Sequence, residues 1–346
     1  MRSVLHLIPY DGIGGVELAA ASAQGARLGD LMLERMFVFE NVSDRSGRSA
    51  TFDLGAFIRS ARRLVVMQPD LVILSLWRSV IVGGLARLFG CRAPMVLFLH
   101  NARDAHLIDW LVTRISLLWV SAVWADSSTT LVNRLSVPRH FPTRVISYLI
   151  DRPLSVRNSL PPKPDFIFWG RLALQKDPLR MLDIFAELYA YRPDATLTII
   201  GPDGGLERAL SKKIDSLSLH NVVKLSGPLS RDEILNTAVS ASFYLQTSRY
   251  EGMALSVVEA MQVGLVPVVT PVGEIQRYTV DGSSAIWKEA SPVAYDHSTV
   301  QKILFALDNT LYWQDLQAGA ISTSSKWPLY KDDLLSACLS LLGQSS

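Results

Sequence analysis

Only two cysteines occur in 346 residues, Cys91 and Cys338, far apart and each in an apolar setting. They offer no disulfide framework and read as buried thiols, which fits a reducing, cytoplasmic environment. The six histidines show no H-E-x-x-H spacing and no D-x-D triplet occurs, so no metal site is expected. No apolar run reaches the roughly 20 residues that a bilayer-crossing helix needs. The nearest approach, Leu107–Ala125, is broken by Asp109 and Arg114. Met1–Pro9 is too short and too lightly flanked for a signal peptide and reads as a first strand. Lysine is missing altogether from residues 1–162, where 18 arginines and 12 acids leave a balance of +6, against −4 in the other 184 residues. An Arg-rich half that also carries the apolar 107–125 segment suits an anionic membrane face or a charged lipid-linked substrate. A solvated surface around a buried helix would give the same composition.

With 49% hydrophobic and 19% charged residues the chain should pack, and its length allows two α/β domains or one large one. Apolar runs alternate with amphipathic stretches from end to end, the pattern of βαβ units and parallel sheets. Strands are expected at Val4–Ile8, Met36–Phe39, Leu71–Leu74, Met95–Leu99, Trp124–Asp126 and Arg144–Tyr148, with helices over Glu17–Leu28 and Phe57–Met67. Asp151–Pro164 holds four prolines in fourteen residues and reads as a linker. The pattern then restarts. Strands are expected at Phe166–Trp169, Thr196–Ile200, Val222–Leu225, Ser242–Gln246 and Val266–Val269. Helices are expected over Asp177–Ala190, Leu206–Leu217, Arg231–Ala238 and Leu255–Val263, with a helical tail after about Val300.

Three segments could carry chemistry. Gly12, Gly14 and Gly15 lie between a strand and a helix, where a backbone can approach an anion closely. A dinucleotide fingerprint would put Glu40 on the ribose, but Glu17 stands where that motif needs its third glycine. A tight structural turn explains the cluster equally. Next, a strand ending at Trp169 leads to Gly170, Arg171 and Lys176. Two cations beyond a strand's carboxyl end can converge on one anion, or can be two surface charges. Third, Glu251 sits in a glycine turn after a strand, and Glu259 follows eight positions later on the next helix. That turn offers amides from Gly252, Met253, Ala254 and Leu255 to a diphosphate, with one acid toward a sugar and the other toward a ribose.

Taken in order, these motifs resemble glycosyltransferase family 4, a retaining family with the GT-B fold. Glu251 and Glu259 match its E-x7-E pair, and Met261–Thr270 the segment that follows. Arg171 and Lys176 match its diphosphate-binding cations, Gly14-Gly15-x-Glu17 its N-terminal glycine loop, and His100 its post-strand histidine. Gly201-Pro202, Gly227-Pro228-Leu229 and Asp281-Gly282 match later turns, Leu229 falling near the nucleobase. Departures occur at Met253 and Ala254 (usually Phe and Gly), Asp177 (usually Gly), Val272 and Arg277, all in loops that bear on donor identity.

The resemblance implies an α/β chain of GT-B type, two Rossmann-like domains facing across a cleft. Residues 1–155 would bind the acceptor and 165–320 the nucleotide-sugar, with a helical tail, 321–346, packing back on the first domain. Arg171 and Lys176 would neutralise the departing diphosphate, Glu251 would position sugar hydroxyls, Glu259 the ribose, and His100 would face the sugar. The expected reaction moves a hexosyl-type sugar to a lipid-linked or polysaccharide-precursor acceptor with retention, in the cytoplasm or at the inner membrane face. No cofactor, metal or nucleic-acid partner is expected, the nucleotide-sugar being a co-substrate. The two carboxylates are not read as a glycosidase pair, which would flank a glycosidic bond. Two other classes stay open: an NAD(P)-dependent oxidoreductase using the Gly12–Gly15 turn, and a nucleotide-sugar-binding protein with a decayed site.

Overall fold

The computed structural model describes residues 1–12, 14–39, 53–135, 142–152, 161–288 and 296–343. Glu40 and most of the proline-rich linker lie outside them. The chain forms two compact units, 1–151 with 328–346, and 152–327.

In the first unit the elements run β1 (Arg2–Ile8), α1 (Gly15–Ser22), β2 (Arg27–Leu28), β3 (Leu31–Phe37), α2 (Leu54–Met67), β4 (Leu71–Ser75) and α3 (Leu76–Leu88). They continue as β5 (Met95–Leu99), α4 (Leu107–Ser116), β6 (Ala122–Ala125), α5 (Ser128–Arg134) and β7 (Thr143–Val145). The sheet order is β2-β3-β1-β4-β5-β6-β7, parallel except for the β2–β3 hairpin. β4, β5 and β6 are buried along their whole length, which is why they read as unbroken apolar runs. The strand order reverses at β1, between β3 and β4, and in open α/β sheets ligands bind beyond the strand ends at such a point.

The second unit holds β8 (Asp165–Trp169), α6 (Pro178–Tyr191), β9 (Thr196–Ile200), α7 (Glu207–Ser216), β10 (Val223–Leu225) and α8 (Arg231–Ala238). β11 (Phe243–Gln246), α9 (Leu255–Val263), β12 (Val266–Val269), α10 (Ile275–Tyr278), β13 (Ile286–Trp287), α11 (Asp296–Asp308) and α12 (Thr310–Ser325) complete it. Its parallel sheet, β10-β9-β8-β11-β12-β13, reverses between β8 and β11. Helix α13 (Tyr330–Gly343) then belongs to the first unit. There Asp333 accepts from Arg144 at 2.7 Å and from the Ser147 amide at 2.8 Å, and the Tyr330 amide donates to Leu149 O at 2.6 Å.

In the first unit expected boundaries shift and one helix is new. The first helix stops at Ser22 rather than Leu28, because Gly25 and Gly29 take positive φ and turn residues 27–28 into a hairpin with β3. That hairpin starts β3 at Leu31, five residues before the apolar stretch from Met36. Helix α3 has no counterpart among the sequence expectations. It follows β4 without a loop, and Gly83 packs where a Cβ would meet Leu74 Cδ1 at 2.6 Å.

The apolar 107–125 stretch divides in two. β6 is core, with Trp124 buried, and Trp119 packs beside Gly83 and Gly84 of α3. Leu107, Ile108, Trp110, Leu111 and Ile115 on α4 are exposed, as is Leu118 beyond it. Among the described residues no helix is long and apolar enough to cross a membrane. Cys91 and Cys338 are free and buried.

Candidate functional site

Strands β8 and β11 lie side by side, so the loops leaving their carboxyl ends meet although they are some 75 residues apart in sequence. Lys176 Nζ donates to Glu251 Oε1 at 2.7 Å. The same oxygen accepts from Ser248 Oγ at 2.6 Å and Gln246 Nε2 at 3.2 Å. Gln246 is oriented in turn: its Oε1 accepts from Tyr244 at 2.7 Å and from Ser256, on the first turn of α9, at 3.1 Å. Three donors thus converge on one oxygen of a buried carboxylate, so its hydrogen-bonding demand there is met by protein rather than water.

The two loops are also laced together away from the carboxylate. Arg249 N donates to Gln175 O at 2.8 Å, Thr247 Oγ1 to Asp177 O at 2.8 Å, and Arg249 Nε to Asp177 Oδ2 at 2.7 Å. Asp177 has φ +47 and Ala254 φ +55, left-handed backbone at the two positions where the family pattern carries glycine. Asp tolerates that region through its short polar side chain, here tied to Arg249. Ala254 is held because Tyr278 Oη reaches the carbonyls of Met253 and Ala254 at 3.2 and 3.3 Å, while Glu274 N donates to Gly252 O at 3.0 Å. Burial, then Glu251, holds the Tyr278 phenol well above its ordinary pKa, so it remains a donor. The turn thus delivers the amide-bearing start of α9 beside Lys176 and Glu251, a charge arrangement suited to an anion.

Glu259 forms a second cluster in the same unit. Its Oε1 pairs with Arg231 Nε at 3.1 Å and its Oε2 accepts from Trp169 Nε1 at 3.1 Å. Tyr244 joins the two clusters, its ring 4.6 Å from that of Trp169 and its hydroxyl on Gln246. Arg171 is exposed, its stem close enough to Gly204 that a Cβ there would meet Cγ at 3.0 Å, and it enters no ion pair among the described residues. Gly170 has φ +153 and its carbonyl oxygen would lie 2.0 Å from a Cβ at Gly201, whose amide donates to Gly227 O at 2.8 Å. Leu229 is half-buried just ahead of the Ser230 capping box that starts α8.

Gly14, Gly15 and His100 belong to the first unit. Gly14 caps α1 and Gly15 opens it, with nothing within 4 Å of where a Cβ would stand on Gly15. His100 follows β5, with Nε2 2.7 Å from Ser75 Oγ and Nδ1 3.0 Å from Tyr148 Oη. Ser75 Oγ is also 2.7 Å from Nε2 of His6 on β1. Burial lowers both histidines: His6 to about 3, with Arg35 adding to the effect, and His100 well below its ordinary value, with His6 and Arg134 adding. Both are neutral imidazoles at neutral pH. Burial, then Tyr330, Asp126 and Glu17, raises Tyr148, which stays a phenol.

Sequence reasoning missed Arg231, Trp169, Gln246 and Ser248 as partners of the two acids, and His6, Ser75 and Tyr148 around His100. One signal existed: His6 is the polar residue inside the otherwise apolar run Val4–Ile8. Among the described residues no group of three or more His, Cys, Asp or Glu is arranged to hold a metal ion.

Residues 154–317 match the family model described as glycosyl transferases group 1. That span covers most of the second unit. The chain is 25% identical over 228 residues to the GDP-mannose:cellobiosyl-diphosphopolyprenol alpha-mannosyltransferase of Xanthomonas oryzae pv. oryzae, covering 62% of this chain and 60% of that protein. The protein of the same name from Xanthomonas campestris is 26% identical over 205 residues, 56% of this chain and 53% of its own. The aligned part is thus under two thirds of each relative's length. In structure, the chain is similar to HepE of Anabaena in complex with UDP-glucose, with a TM-score of 0.76, 17% identity, and 98% and 100% of the two chains covered. The lipopolysaccharide outer core galactosyltransferase WaaB gives 0.70 at 17% identity, over 98% and 99%. At such identities the likeness concerns the fold, which is GT-B.

Proposed function

We propose that this chain is a retaining glycosyltransferase of family 4. It moves a hexosyl-type sugar from a nucleotide diphosphate-sugar to a hydroxyl of a lipid-linked or polysaccharide-precursor acceptor. The observation that carries this reading is the convergence of Lys176, Glu251 and the start of α9 at the strand-order reversal of the second unit. The group 1 family match over the same residues supports it, as do relatives named for transfer to a diphosphopolyprenol-linked sugar.

In the proposed reaction the acceptor oxygen bonds to the sugar's anomeric carbon on the face that the diphosphate leaves. The C–O bond to phosphate breaks with its electron pair going to the diphosphate, and the acceptor's proton passes to the departing phosphate oxygen. Arg171, Lys176 and the first amides of α9 take up the charge that develops there. Donors placed where charge develops are worth about 3–4 kcal/mol each at the upper end. Glu251 holds sugar hydroxyls, and Glu259, steadied by Arg231 and Trp169, holds the ribose. With cations serving the diphosphate, no divalent metal is required. The exposed apolar face of α4 and the Arg-rich first half suit peripheral contact with an anionic membrane surface at the cytoplasmic side.

The test is nucleoside diphosphate release from a panel of UDP-, GDP- and ADP-sugars in EDTA, with NMR of the product's anomeric centre. Turnover with one donor class, retained configuration and loss in Lys176→Ala are expected. No turnover with any donor, or dependence on added metal, would contradict the proposal.

A further inference from the structure

Ser75 occupies the N-cap position of α3, where serine ordinarily bonds an amide of its own helix, yet its side chain makes no cap bond. Its hydroxyl lies instead between two imidazoles, 2.7 Å from Nε2 of His6 and 2.7 Å from Nε2 of His100. The next residue, Leu76, has φ +67, left-handed backbone that a leucine rarely adopts. The helix therefore forgoes its cap and accepts strain at its first residue, and both departures place one hydroxyl between the ends of β1 and β5. Backbone strain of this kind collects where function over-determines the geometry.

A serine hydroxyl has one proton and two acceptor sites. When that proton goes to one imidazole Nε2, the other imidazole must supply its own Nε2–H, so the two histidines hold opposite tautomers. His6 Nδ1 is buried with no hydrogen-bond partner. A buried N–H without an acceptor is rarer than a buried lone pair without a donor, which puts the His6 proton on Nε2. Ser75 then donates to His100 Nε2, and His100 Nδ1–H donates to Tyr148 Oη, 3.0 Å away. Tyr148 is steadied by the Tyr330 ring, 5.1 Å between centroids, on the returning helix α13.

We propose that Ser75 is a positioning residue that locks His6 and His100 into opposite tautomers, fixing His100 as an Nδ1–H imidazole bound to Tyr148. The consequence for catalysis rests on His100 serving the sugar in the glycosyl-transfer reading; the lock itself does not.

Long-range 15N–1H NMR of the full chain labelled at histidine reads the tautomers directly. His6 is expected as Nε2–H and His100 as Nδ1–H, with Ser75→Ala shifting His100 toward the Nε2–H form and Ser75→Thr, which keeps the hydroxyl, preserving the pattern. In the transfer assay Ser75→Ala should lower kcat about tenfold with donor KM unchanged, and Ser75→Thr should rescue it. Matching tautomers in the wild-type protein, or a pattern indifferent to Ser75→Ala, overturns the lock, and wild-type kcat in Ser75→Ala overturns its catalytic use. Absence of transfer with every donor would defeat the glycosyl-transfer reading while leaving the NMR result to decide the lock.

Discussion

Gly273→Ala tests how tightly the turn carrying Glu251 is built. Gly273 has φ +60, and a Cβ there would stand 2.2 Å from Glu251 O, 2.8 Å from Glu251 C and 2.9 Å from Gly252 O. All three are backbone atoms, so no flexible side chain can swing aside. Placing alanine in left-handed backbone costs about 1–2 kcal/mol. Opening the contact by about an ångström adds the ~1–3 kcal/mol typical of overpacking. Together they predict roughly 2–5 kcal/mol of destabilisation, a large fraction of the ~5–15 kcal/mol that holds a domain folded. Two units need not unfold together. Urea unfolding should therefore be followed by hydrogen exchange in peptides from residues 161–288. The displaced Glu251 carbonyl should also weaken nucleotide-sugar binding at least tenfold. Gly15→Ala is the control, because nothing stands within 4 Å of its Cβ position and stability should hold. A Gly273→Ala protein with wild-type stability and donor affinity would refute the reasoning.

Lys176→Ala should lower kcat about 10²–10³-fold, as loss of one charge-stabilising donor does, measured as nucleoside diphosphate release. Arg231→Ala leaves Glu259 with Trp169 alone; losing a charge-assisted bond of ~1.5–3 kcal/mol should raise the donor Kd about 10–100-fold in calorimetry. His6 has its pKa lowered by burial to about 3, so below the ordinary value near 6.5 the unfolded chain binds a proton that the folded one refuses. Stability is therefore full above that value and falls as the pH drops toward 3, by about 2 kcal/mol at pH 5 from this residue. In urea titrations His6→Asn should lose that much less than wild type between pH 7 and 5. An equal loss in both would contradict the assignment.

Much of the fold is legible because parallel strands buried on both faces read as short apolar runs. Met95–Leu99, Thr196–Ile200 and Val266–Val269 are strands with the boundaries expected, and α8 and α9 also keep theirs. For α8 the cause is local, the Ser230–Glu233 capping box. What escapes is set by contacts distant in sequence. α3 hides because β4 runs straight into it at Ser75–Leu76, merging two apolar elements. The two-residue strand β13 owes its pairing to β12 rather than to any pattern of its own.

At the candidate site, placing Lys176 and Glu251 beyond strand ends follows from sequence, but their direct contact does not. It requires β8 and β11 to be neighbours, which the strand order decides. The Arg231–Glu259–Trp169 cluster spans 28 and 90 residues for the same reason. Asp177 and Ala254 look like departures that loosen the motif. The structure shows instead that both keep the left-handed backbone a glycine would supply.

The most direct measurement is calorimetric titration of the intact chain with GDP-mannose, UDP-glucose and NADH, in wild type and in the Lys176→Ala variant. One nucleotide-sugar should bind with an affinity that drops at least tenfold in the variant, and NADH should not bind. Binding of NADH alone, or sugar-nucleotide binding indifferent to Lys176, would contradict the central claim that this cation and the start of α9 grip a donor diphosphate.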